Sequence, residues 1–268
     1  MKFTKMHGIS NDYVYVDCFR EKVEDPARTA RYVSRRRTGI GSDGLILIEP
    51  SDLADCRMRM FNADGSEGDM CGNGIRCVGK YVYDHKIAVT DPMTVETRAG
   101  VKTLTFCLEA GKVAAVTVDM GEPRQTSAVP EPICVAGKDY TFTGISMGNP
   151  HAVYLMDGID ALDLEKIGPA FEHHERFPER TNSEFIQILD RGHIKMRVWE
   201  RGSGETWACG TGACASVVAA SLLGYVDDQV TVSLKGGDLT VRWDHESGHV
   251  FMTGPAAEVF TGEIFLPG

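Results

Sequence analysis

CGNGIRCVGKYVY, residues 71–83, and CGTGACASVVAASLL, residues 209–223, are two versions of one passage: a cysteine, a glycine-rich turn, then a helical run. The two cysteines stand 138 positions apart (209 − 71 = 138), close to half of the 268-residue chain. The same shift carries Asn11 onto Asn149, and RMRMFN, ending at Asn62, onto KMRVWE, ending at Glu200. VETRAG, ending at Gly100, resembles VSLKGG, ending at Gly237, at a shift of 137 (237 − 100 = 137), and VDMGEP resembles VFMTGP. A repeat at half the chain length predicts two similar half-domains facing each other.

Working outward from the two turns, both halves show short strands, a glycine-rich turn, a helix and more strands. FTKMHG, YVYVD, LILIE and RMRMF read as strands in the first half, and HAVYLM, FIQIL, IKMRVWE, VTVSL and LTVRW in the second, by alternation or by β-branched and aromatic content. Helices are expected from Asn73 to about Tyr83 and from Thr211 to about Leu223. The second is apolar on every face and is stopped by Gly224, as suits a helix enclosed by sheet. The expectation is an α+β fold of two pseudo-symmetric half-domains, each a curved, mostly antiparallel sheet wrapped around a central helix, with the active site in the cleft between them. The expected boundaries are 1–118, rejoined by 256–268, and 119–255.

Composition narrows the function. A hydrophobic content of 43% and a charged content of 25% fit a conventional globular protein. The net charge of −10 disfavours nucleic acid and anionic membranes as partners, and Arg35-Arg36-Arg37 is too short to reverse that and reads as a solvated helix end. MKFTKMHGIS lacks the apolar stretch of a secretory signal, and no segment approaches a membrane span, so the cytoplasm is the expected location. In that reducing compartment the eight cysteines are read as individual thiols, and none has C-x-x-C spacing, so no metal site is expected.

Cys18, Cys56, Cys77, Cys107, Cys134 and Cys214 fit the ordinary role of small core residues. Cys71 and Cys209 do not, because each precedes a helix in a glycine-rich turn at matching places in the repeat. Free N–H groups and the positive helix end favour a thiolate and can also hold a carboxylate. Two such turns would aim two sulfurs at one space from opposite sides. Racemisation at an amino-acid α-carbon needs that arrangement: one group removes a proton from one face while another supplies a proton to the opposite face. A phosphate cradle built on Gly72, Gly74, Gly210 and Gly212 is the competing reading, but the Lys-Ser/Thr of a P-loop is missing. A reversible Cys71–Cys209 disulfide in a redox sensor is another.

The strings KMHGISNDY, FNADGSEGDMCGNGIRC, SMGNPHAV, HERFPERTN and ERGSGETWACGTGAC, in this order over essentially the whole chain, resemble the diaminopimelate epimerase family. The resemblance implies interconversion of LL- and meso-diaminopimelate, a step toward lysine and the bacterial cell wall, with no cofactor, neither pyridoxal phosphate nor metal. It makes Cys71 and Cys209 the catalytic pair, and gives Gly72, Asn73, Gly210 and Thr211 the role of holding the carboxylate of the reacting centre. Asn11, Asn62, Asn149, Asn182, Glu200 and Arg201 match substrate-contacting positions; Arg201 suits a carboxylate and Glu200 an ammonium. His151 and Glu200 are candidates for proton transfer or for tuning a thiol, and His7 reads as packing. Gly44 departs from relatives that carry a polar side chain there. Many members of the family are dimers, so a homodimer is compatible with the resemblance. The rival within the fold is a racemase acting on histidine, proline or hydroxyproline.

Overall fold

The computed structural model describes residues 1–266. The first half of the chain forms β1 (Lys2–Gly8), β2 (Asn11–Asp17), α1 (Pro26–Val33), β3 (Gly44–Glu49), β4 (Cys56–Asn62), β5 (Glu67–Gly68), α2 (Gly72–Asp84), β6 (Met93–Thr97), β7 (Gly100–Glu109) and β8 (Lys112–Gly121). The second forms β9 (Arg124–Gln125), β10 (Glu131–Val135), β11 (Lys138–Ser146), β12 (Pro150–Leu155), α3 (Leu164–Glu172), β13 (Asn182–Asp190), β14 (His193–Glu200), β15 (Gly204–Thr206), α4 (Gly210–Leu222), β16 (Gln229–Leu234), β17 (Gly237–Trp243) and β18 (Val250–Pro255), followed by β19 (Ala257–Glu263). Two compact units result: Met1–Val118 with the segment from Gly254 onward, and Asp119–Thr253. No helix among the described residues is long and apolar enough to cross a membrane.

In the first unit β19, β1, β2, β3, β4, β6 and β7 are neighbours in that order, antiparallel except for the β2–β3 and β4–β6 pairs. The second unit repeats the scheme through β11, β12, β13, β14, β16 and β17, with β12–β13 and β14–β16 parallel. The register repeats as well. Leu45 faces Phe61 in one unit and Ser183 faces Trp199 in the other (183 − 45 = 138; 199 − 61 = 138). Both ends of α2 map onto α4 at the same shift (210 − 72 = 138; 222 − 84 = 138).

Each sheet is covered on both faces, which is why β3, GLILIE, is buried at five of its six positions rather than alternating. In the first unit Val14, Val16, Leu45, Leu47 and Phe61 pack with Ala30 and Val33 of α1, while α2 lies against β1, β2, β4 and β6. In the second unit an aromatic layer of Phe142, Tyr154, Phe171, Phe185 and Trp199 packs toward α3, and α4 lies against β11 to β14, β16 and β17. The near-total burial of α4 accounts for its all-round apolar sequence. It ends where Gly224 takes φ +78, a left-handed value that suits glycine.

Helices α1 and α3 add to the sequence expectation. Each begins at an aspartate, Asp25 or Asp163, whose carboxylate accepts from the backbone N–H three residues on. Arg35 to Arg37 lie just past the end of α1, exposed. Helix α3 comes close enough to the sheet that a Cβ on Gly168 would lie 2.2 Å from the Trp199 ring. The Trp199 indole N–H donates to Glu172 Oε2 at 2.7 Å, and Gly202 N–H donates to Glu172 Oε1 at 2.9 Å, so α3 pins the turn that follows Glu200. Gly168→Ala is expected to lower stability by about 3 kcal/mol by displacing the indole, measured by urea unfolding; an unchanged midpoint would contradict this packing.

Candidate active site

In the first unit Cys71 is the N-cap of α2, extended at φ −128, ψ 118, and its sulfur accepts the N–H of Gly74 at 3.3 Å. The Ile75 N–H closes the first helical bond onto Cys71 O at 2.8 Å. The thiol donates to Asn11 Oδ1 at 3.3 Å, and Asn73 Nδ2 approaches the same oxygen at 3.4 Å. Asn11 is oriented by its own donation to Asp43 Oδ2 at 2.9 Å. It is delivered by a two-residue turn in which Ile9 and Ser10 both take positive φ, 47 and 70. That conformation is costly for side-chain-bearing residues and typical of functional positions. Arg76, fully buried, donates to Gly72 O at 3.1 Å, Asn73 Oδ1 at 2.8 Å and Pro255 O at 3.3 Å, fixing the first turn from behind.

In the second unit Cys209 caps α4 with nearly the same backbone, φ −129, ψ 105, and Ala213 N–H bonds Cys209 O at 3.0 Å. Glycine at the third helical position is required in both turns: a Cβ on Gly74 would meet Ile46 at 2.7 Å, and one on Gly212 would meet Glu184 at 2.7 Å and the Cys209 sulfur at 3.1 Å. Cys209 is 5% exposed, and Thr211 Oγ1 lies 3.7 Å from its sulfur. Asn149 Nδ2 donates to Thr211 Oγ1 at 3.3 Å, and Asn149 Oδ1 lies 3.0 Å from His151 Nε2. His151 Nδ1 lies 2.6 Å from Glu184 Oε1, both side chains being wholly buried.

Burial pushes the Cys209 thiol well above its usual value, and the nearby carboxylates of Glu200 and then Glu184 push it further. Burial likewise raises the Glu200 carboxyl, opposed by hydrogen bonds from the Thr206 hydroxyl and the Cys209 thiol. On the first-unit side, burial raises the Asp43 carboxyl and the neighbouring Asp12 adds to the effect. Behind Cys71, burial lifts Cys77 to about 11.

Asn11, Gly72 and Asn73 thus gather around Cys71, and Asn149, His151, Glu200, Gly210 and Thr211 around Cys209. Asn182 donates to Pro150 O at 2.9 Å and accepts from the Arg201 N–H at 2.9 Å, tying the start of β13 to the turn after Glu200. The Arg201 guanidinium reaches Glu179 O at 3.3 Å. Asn62 stands exposed at the end of β4, bonded to Ser66 at 3.0 Å rather than to the Cys71 turn. His7 accepts from Ser10 N–H at 3.3 Å and so belongs to the strained turn. Gly44, the counterpart of Asn182 (182 − 44 = 138), faces Asn62, and a Cβ there would lie 2.1 Å from Phe61 O. Asp43, Arg76, Thr206 and Glu184 are additions to the sequence-derived set. Of these Glu184 stands where the repeat has Ile46 (184 − 46 = 138) and Asp43 where it has Thr181 (181 − 43 = 138), a carboxylate against a neutral residue in both cases.

The Diaminopimelate epimerase family profile matches residues 3–126 and 143–259. The chain is similar to the diaminopimelate epimerase of Agathobacter rectalis, 57% identical over 98% of this chain and 99% of that one. It is also similar to that of Desulfovibrio desulfuricans, 56% identical over 99% of both chains. Among solved structures it resembles a Bacillus anthracis phenazine biosynthesis protein of the PhzF family, with a TM-score of 0.77 at 17% identity, covering 99% of each chain. The last likeness concerns the fold alone. With the family profile spanning most of the sequence and relatives above 50% identity along nearly its full length, the chain belongs to the diaminopimelate epimerase family.

Proposed function

We propose that this chain interconverts LL- and meso-2,6-diaminopimelate in the cytoplasm, supplying a precursor of lysine and of the bacterial cell wall, with Cys71 and Cys209 as the two proton-transfer groups. The observation that carries the proposal is the doubled cap: two cysteines in near-identical backbone geometry, each at the start of a buried helix. The two sulfurs would address opposite faces of one stereocentre.

In each turnover a thiolate takes the α-proton, so that the C–H bond breaks, its electron pair stays on carbon and an S–H bond forms. The opposite thiol then gives its proton to the other face of that carbon and is left as thiolate. First-turn N–H groups at Gly72–Asn73 and Gly210–Thr211 would hold the carboxylate of the reacting centre. They stabilise the developing charge because they are fixed in place before it appears. Burial and the nearby Glu200 and Glu184 carboxylates favour the protonated form of Cys209. Asn11, Asn62, Asn149, Asn182, Glu200 and Arg201 would recognise the substrate, Glu200 being suited to an ammonium and Arg201 to a carboxylate. The assembly that fits the family is a homodimer.

In deuterated water the reduced enzyme is expected to place label at the substrate α-position, with epimerisation lost in both Cys71→Ala and Cys209→Ala. Activity retained in either variant, or faster turnover of single-centre amino acids than of diaminopimelate, overturns the reading. A second test concerns the Cys209 thiol. Removing a neighbouring negative charge lowers its pKa, so Glu200→Gln is expected to speed iodoacetamide labelling of Cys209 at pH 8, followed by peptide mass spectrometry. Slower or unchanged labelling would count against Glu200 as a charge acting on that sulfur.

A further inference from the structure

We propose that Glu184 is a positioning residue for the Cys209 cap, acting through His151 and Asn149; the inference rests on the function proposed above. A carboxylate fully buried between strand and helix is costly unless it is paired. The fold does not require one here. At the matching place in the first unit stands Ile46, which lies as close to Gly74 as Glu184 lies to Gly212, 2.7 Å from the position of a Cβ in each case. His151 likewise matches Tyr13 (151 − 13 = 138). The repeat therefore holds an apolar and a charged version of one packing position, and the charged version occurs in the unit where the pair connects to a cap.

That connection is continuous. Glu184 Oε1 takes His151 Nδ1 at 2.6 Å, His151 Nε2 faces Asn149 Oδ1 at 3.0 Å, Asn149 Nδ2 donates to Thr211 Oγ1 at 3.3 Å, and that oxygen stands 3.7 Å from the Cys209 sulfur. Glu184 Oε2 has no hydrogen-bond partner among the described residues, so the carboxylate's one hydrogen bond is spent on the imidazole. An amide oxygen can only accept, so the Asn149 Oδ1 facing Nε2 takes a hydrogen from it, while a further proton lies on the short Nδ1–Oε1 contact. The Asn149 NH₂ is left pointing at Thr211 and the cap. Without the carboxylate a neutral imidazole has two tautomers. In one of them a bare Nε2 faces the Asn149 oxygen, which favours an amide flip that reverses the group offered beside Cys209.

The test uses the full-length protein with Glu184→Gln, Glu184→Ile, and Glu184→Ile combined with His151→Tyr, the last reproducing the first unit's own pair as a folding control. In ¹⁵N-histidine NMR of the resting wild-type protein, His151 Nε2 is expected to be protonated and Nδ1 to carry a strong hydrogen bond. Glu184→Ile is expected to show mixed tautomers. Against diaminopimelate, kcat is expected to fall about 10- to 100-fold in all three variants, the loss typical of a group that orients a reacting residue, with a smaller change in KM and with the double variant still folding cooperatively. Wild-type kcat in Glu184→Ile, or a bare Nε2 in the wild-type spectrum, overturns the proposal. Should the wild-type protein fail to turn over diaminopimelate, the proposed function falls, while the NMR comparison still decides whether Glu184 sets the tautomer.

Discussion

A buried helix begins with N–H groups that no helical carbonyl can reach, and in this protein what answers them sets the chemistry. Both central helices start at an extended cysteine followed by glycines. The glycines let the strand beneath come within contact of the first turn and leave room for the sulfur above it. The cap therefore has two roles. It terminates a helix that the surrounding sheet has already enclosed, and it holds a polarisable, ionisable atom at the positive end of that helix.

From the same backbone the two units have built opposite surroundings. Around Cys71 the groups are amides and a buried guanidinium: Asn11, Asn73 and Arg76. Around Cys209 they are carboxylates and an imidazole: Glu200, Glu184 and His151. Repeat positions that are apolar or neutral in one unit are ionisable in the other, as with Ile46 and Glu184 or Asn62 and Glu200. A duplicated fold supplies equal backbone geometry at the two caps, and divergence at a few positions supplies unequal charge around them.

The repeat was legible because sequence similarity survives at the caps and the strands leading to them, and its shift of 138 matches both helix limits and strand register. Helices α1 and α3 were harder to read. They are eight and nine residues long, about two turns each, so few positions mark a helical period behind the start signals at Asp25 and Asp163. Strand β3, buried on both faces, carries no alternation and is marked as a strand by its β-branched content alone. Glu184 differs from its repeat partner Ile46 in sequence, but what it does there depends on its pairing with His151, 33 positions away. The fate of Asn62, bonded to Ser66, is a matter of local turn chemistry that residue type alone does not reveal.

Strand β19 pairs with β1 from Lys2↔Glu263 to His7↔Ala257, and Met1 N and O both bond to Ile264. The second unit is a continuous run of chain, whereas the first is assembled from both ends. During synthesis the later-made unit can therefore collect all of its own strands while the earlier-made one still presents an open edge at β1. That edge is covered only when the final strand leaves the ribosome. Until β19 docks, β1 is paired only with β2, and the turn between those two strands is the one that delivers Asn11 to Cys71.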